Sequence, residues 1–176
     1  MKSRLPSLIA LSSLLLLSGC ASRSLYSGPQ PTVVRGTSWT VTPLINNTAT
    51  PYAGDRAQQI LAALLGGHDT SQVILPPPPP DNTALPVHNG AENQTSALAW
   101  ARTRHIRYAL TGSVDEWRYK VGLNGVPAVG FTLSLVDLDN GHILWSGAAA
   151  ATGGSREGIA VLAQHTLNRL LTRLLP

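Results

Sequence analysis

Apolar residues alternate with polar ones along some stretches of the chain and recur at three- and four-residue spacing along others, which separates strands from helices. The first alternation, Ser38 to Ile45, sets Trp39 and Val41 on one face and predicts a strand. Pro43, which has no amide hydrogen to donate, interrupts or ends it. Asn46-Asn47-Thr48 is turn chemistry. From Tyr52 to Leu65 the positions Ala57, Ile60, Leu61, Leu64 and Leu65 share a helical face, with Pro51 at the start and Gly66-Gly67 at the stop. Gln72 to Leu75 predicts a short strand, ended by five prolines at 76–80. Those prolines favour stiff polyproline II, either as a rigid connector or as a docking ligand for a proline-binding domain. Residues 81–90 continue as polar loop. Asn93 to about Arg104 predicts a second helix with Leu98, Ala101 and His105 on one side, and Trp100 beside them or near the surface.

The long alternation from Arg107 to Val121 contains a defect. Tyr108, Leu110, Gly112 and Val114 share one parity, yet Trp117, Tyr119 and Val121 have the other. A period of two changes phase only through an inserted residue or a bend, so the pattern predicts a bulge near Asp115-Glu116. After residues 122–125, Val129, Phe131, Leu133 and Leu135 predict a strand, Asn140-Gly141 a tight hairpin turn, and His142 to about Ala149 the returning strand with Ile143 and Trp145 on a common face. Ser155 is placed to cap a last helix, in which Ile159, Leu162, Ala163, Thr166, Leu170 and Leu174 fit a 3.6 period. The order β-α-β-α-β-β-β-α suggests an α/β fold, a mixed sheet packed with three helices.

The single cysteine changes the picture at the N-terminus. One thiol among 176 residues excludes an internal disulfide and any cysteine-rich metal site. Lys2 and Arg4 precede an apolar run from Leu8 to Leu17, too short to cross a bilayer and suited to the apolar region of a signal peptide over residues 1–19. Leu17-Ser18-Gly19-Cys20 resembles a bacterial lipobox, which implies that Cys20 is acylated and becomes the first mature residue. An ordinary secretory peptide with a chance cysteine is the other reading. Several acyl chains hold a membrane stably where one does not, at about 0.8 kcal/mol per buried CH₂. Ala21 in place of Asp points, by the usual lipoprotein sorting rule, to the outer membrane. Residues 20–37 then read as a lipidated cysteine and tether, spanning roughly 20 to 25 Å as flexible coil, and residues 38–176 as one periplasmic domain. Loss of residues 1–19 lowers the formal charge from +4 to +2. With no basic face interleaved with aromatics, nucleic acid is not expected as a partner.

No catalytic set emerges. The five histidines, at 68, 88, 105, 142 and 165, fall on different elements with no i,i+4 pair for a metal. His105 and His165 read as partly buried polar residues. No metal or other cofactor is expected. Gly153-Gly154-Ser155 before a helix suits either simple capping or an anion. Asp115 and Glu116, as strand neighbours, point to opposite faces unless the bulge re-aims one, so a solvated acidic surface is the plain reading. Trp117 and Tyr119 suit core packing, a sugar-stacking strip or a subunit interface.

The stretch YALTGSVDEWRYKVGLNGVPAVGFTLSLVDLDNGHILWSG, residues 108–147, together with WTVTPLINNTATPYAGDRAQQILAALL upstream, resembles the PelC family, outer-membrane lipoproteins of the Pel exopolysaccharide secretion system. More distantly the layout is similar to the periplasmic domain of CsgG, the N-terminal domain of TolB, and LpoB. The PelC resemblance implies a ring of about a dozen lipid-anchored copies that works with the outer-membrane β-barrel porin PelB and guides a cationic exopolysaccharide through an electronegative funnel into the biofilm matrix. A closed ring needs a heterologous interface, and acidic groups around a lumen concentrate a cationic polymer whatever the net charge. It makes Asp115 and Glu116 the polymer-facing candidates, Trp117 and Tyr119 candidates for packing between subunits, and Arg118 one for pairing across an interface. Asn124 and Gly154 stand where the family pattern implies an acidic residue and a membrane-facing tryptophan. The alternative is an LpoB-like lipoprotein that regulates a cell-envelope enzyme, which wants a longer tether than seventeen residues. An enzyme acting on polysaccharide is a third, against which the missing carboxylate pair argues.

Overall fold

The structure, a computed structural model, describes residues 22–68, 72–78, 90–120 and 125–175. Cys20, the leader, Asn124, Pro79-Pro80 and the loop predicted over residues 81–90, apart from Gly90, lie outside these residues. Strands β1 (Arg23–Ser27), β2 (Trp39–Val41) and β3 (Ile45–Asn46) precede helices α1 (Ala53–Gly67) and α2 (Gly90–Thr103), then β4 (Tyr108–Lys120), β5 (Val126–Asp137), β6 (Ile143–Thr152) and α3 (Ile159–Leu174). They form one six-stranded sheet in the order β1-β6-β5-β4-β2, with β3 also on β4. The ladder is antiparallel from β1 through β4, while β2 and β3 run parallel to β4. The expected α/β class, a mixed sheet with three helices, is the observed one.

Helices α1 and α3 cover one face. Beneath them lie Trp39, Val41, Tyr108, Leu110, Phe131 and Leu133, all 2% exposed or less, against Leu61, Leu65, Leu167 and Leu170. Helix α2 covers only one end of the opposite face, with Ala101, Ile106, Ala109 and Leu138 as a second cluster and Trp100 at its edge. Pro43 divides the first predicted strand into β2 and β3 by withholding a ladder donor.

Several expectations are corrected. Arg23–Ser27, read as tether, is a strand paired along β6. The strand expected over Gln72–Leu75 is a single bridge from Val73 to Trp39, because the prolines that follow donate no hydrogen bonds. Ser155 does not cap α3; Gly158 holds that position. Ile143 is 65% exposed and not on the face of Trp145, because the ladder slips between Leu135 and Val136. The hairpin loop is Leu138 to Gly141, longer than a two-residue Asn-Gly turn, with Gly141 at φ +76°. His105 and His165 are exposed. His105, at φ 53°, ends α2 in a Schellman motif, its amide and that of Ile106 donating to Arg102 and Ala101.

Candidate functional site

The phase change in β4 is a bulge. Val114 pairs with Phe131 and Glu116 with Gly130, so Asp115 has no partner on β5. Val114 before it and Trp117 after it both point into the core, and each is 3% exposed or less. The extra residue lets Asp115 and Glu116 emerge together on the face that α2 leaves open. Asp115 is exposed and accepts hydrogen bonds from Asn47 Nδ2 (3.0 Å), Ser113 Oγ (2.7 Å) and Thr132 Oγ1 (2.8 Å). Asn47 reaches it because β3 runs alongside β4 and the Asn47 amide donates to the Val114 carbonyl. Three donors fix the carboxylate in place, and among the described residues no cation pairs with it.

Glu116 is different, since Arg118 Nε donates to it at 2.9 Å and balances its charge. Arg118, expected to pair across an interface, therefore has a partner within its own chain. Trp117 packs edge-on to Phe131, centroids 6.1 Å apart, and is 3% exposed in the core of its own chain. Tyr119 is half exposed and its hydroxyl accepts the amide hydrogen of Ile159 at 3.2 Å, tying the end of β4 to the start of α3. The Gly153-Gly154-Ser155 turn holds an internal carboxylate: Gly154 N donates to Glu157 Oε2 at 3.3 Å, which fills the place proposed for an anion.

Around the bulge the open face is built from small side chains, Thr132, Ser134, Ser146, Ala148, Ala150 and Gly130, with Ser134 and Ser146 bonded at 2.9 Å. Sequence reasoning found the bulge but missed the donors. Asn47 looked like turn chemistry, and only the parallel pairing of β3 carries it to Asp115.

Elsewhere, Arg107 joins the start of β4 to the hairpin by bonding Asp137 (2.8 Å) and Asp139. Desolvation works against its charge, but the two carboxylates outweigh it and hold its pKa above the usual arginine value. Two clefts stand out among the described residues. One, of about 300 Å³, is lined by Leu25, Arg169, Thr172 and Arg173. The other, of about 250 Å³, lies between Pro77, Pro78 and Trp100. Among the described residues no three His, Cys, Asp or Glu side chains converge on a metal position, and no helix is long and apolar enough to cross a membrane.

The chain is similar to two structures of a PelC dodecamer from Paraburkholderia phytofirmans. The first is 33% identical with a TM-score of 0.73 and covers 86% of this chain and 96% of that one. The second, of a leucine-to-methionine variant, is 33% identical with a TM-score of 0.74 and covers 87% and 98%. The lipoprotein GNA1162 from Neisseria meningitidis shares the fold at 18% identity, with a TM-score of 0.51 and coverage of 77% and 99%. No family model and no curated protein matches the chain.

Proposed function

The chain belongs to the PelC family, and from that premise we propose that it is a non-enzymatic secretion component that assembles into a ring and guides a cationic exopolysaccharide to an outer-membrane porin of the PelB type. The observation that carries the reading is 33% identity over 96% of a chain that forms a dodecamer. Cys20 would anchor each copy by its acyl chains to the periplasmic face of the outer membrane, so that the copies close around a hole under the porin.

Asp115 is the side chain that meets the polymer. It is exposed, held by three hydrogen bonds, and not neutralised by a cation of its own chain. Copies of it around a lumen would focus a negative field on a passing cationic chain without binding any one unit of it tightly. Glu116 adds less, because Arg118 balances it. The hydroxyls of Thr132, Ser134 and Ser146 beside Asp115 give a sugar chain hydrogen-bonding partners.

Negative-stain electron microscopy of the detergent-extracted protein tests the assembly, with rings of about twelve copies expected. A particle that stays monomeric at micromolar concentration would sink it. Asp115→Lys should leave the ring intact and reduce the polymer secreted; unchanged secretion would remove Asp115 from the pathway.

A further inference from the structure

The path of the chain shows which end of the sheet lies nearest the anchor. The Ser22 carbonyl accepts the Thr152 amide hydrogen at 2.9 Å, so the chain leaves the fold toward Cys20 beside the end of β6. Cys20 is two residues upstream, at most about 7 Å away.

Cations gather at this same end. Arg23 lies opposite Ala151 and is exposed. Lys120, the last residue of β4, donates from Nζ to Thr152 Oγ1 at 3.0 Å and keeps two further donors. Arg156 is exposed in the turn that joins β6 to α3. Among the described residues, no carboxylate pairs with any of the three. The acidic group nearest in sequence, Glu157, is turned inward, 22% exposed, between the Gly154 amide and His165. Asp137 and Asp139 bond Arg107 at the opposite end of β5. Neither of the two clefts described above includes Arg23, Lys120 or Arg156.

We propose that this end of the sheet is a docking surface for anionic phospholipid headgroups, with Arg23, Lys120 and Arg156 meeting the phosphates. The occupant is a lipid surface because a separate feature of the chain, an acylated Cys20, would bring that surface to the end of the sheet where these cations lie. The orientation rests on the acylation proposed above; the affinity does not. Each cation at such a surface adds to binding, and the sum is screened by salt.

The test uses the full mature chain carrying Cys20→Ser, which removes the acyl contribution. Sedimentation with vesicles of phosphatidylcholine alone, and with phosphatidylglycerol added, separates charge from surface. Binding is expected only to the anionic vesicles and to fall with added salt. Arg23→Gln with Arg156→Gln should weaken it roughly thirtyfold, while Arg169→Gln with Arg173→Gln, cations of α3 outside this group, should leave it within about twofold. Equal binding to both vesicle types, or an equal loss from the α3 pair, would overturn the docking surface. Whether rings form under the microscope is decided separately from either result.

Discussion

Trp117 and Tyr119 are two residues apart on β4, yet their surroundings assign them different work. Trp117 is 3% exposed against Phe131, so Trp117→Ala should cost about 3–5 kcal/mol through a lower urea midpoint of the domain itself. Tyr119 contributes a hydroxyl to the start of α3, and Tyr119→Phe should cost only about 0.5–1.5 kcal/mol. A Trp117→Ala protein of unchanged midpoint that failed to form rings would place that residue at the subunit interface. Gly112 is a second sensitive position. It sits at φ +155°, and an added Cβ would run into the Thr132 carbonyl, which no side-chain rotation relieves. Gly112→Ala should lower stability by about 2–4 kcal/mol, measured by the same denaturation; a change below about 0.5 kcal/mol, the range of neutral surface substitutions, would show that the ladder yields there.

Among elements, the bulge was legible and β1 was not, and the difference is physical. A buried strand cannot change phase silently: Val114 and Trp117 both belong in the core, and their odd spacing announced the extra residue between them. Arg23–Ser27 is an edge strand with an exposed or intermediate residue at every position, so it has no apolar run to show; its backbone pairing with β6 alone defines it. Two of the three Asp115 donors were hidden for a third reason, since Asn47 and Thr132 lie far from it in sequence. The bulge also makes a sharp prediction. Deleting Asp115 leaves Ser113, Val114, Glu116 and Trp117 in perfect alternation, so the ladder should close regularly and Trp117 should stay buried. The three lost hydrogen bonds to an exposed carboxylate should cost about 1–2 kcal/mol, with near-native tryptophan fluorescence. Inserting an alanine after Glu116 should instead turn Trp117 to the open face and abolish cooperative unfolding. If the deletion unfolds the domain as thoroughly as the insertion does, the bulge is not a local insert in an otherwise regular ladder.

For the whole molecule, the question is how far the fold stands from the membrane. A tether over residues 20–37 would let the domain float roughly 20 to 25 Å below its anchor. Pairing of β1 with β6, and of Ser22 with Thr152, removes nearly all of that slack. What is left between Cys20 and the sheet is at most about 7 Å, so an acylated Cys20 would hold the ring against the headgroups with little freedom to tilt. The same short link disfavours a regulator that reaches across the periplasm, which needs the slack this fold consumes. A ring that hands a polymer to a porin has to meet it without a gap, because a charged chain escapes through any lateral opening wider than itself. Ten flexible Gly and Ser residues inserted between Cys20 and Ser22 would lower the domain by roughly 15 to 20 Å. Acylation, membrane fractionation and ring formation should survive, since none depends on that distance, while polymer secretion should fall sharply and soluble polymer appear in the periplasm. Secretion at the wild-type level with the spacer in place would show that the ring works without abutting the membrane, and the closeness of Ser22 to the anchor would then have no role in export.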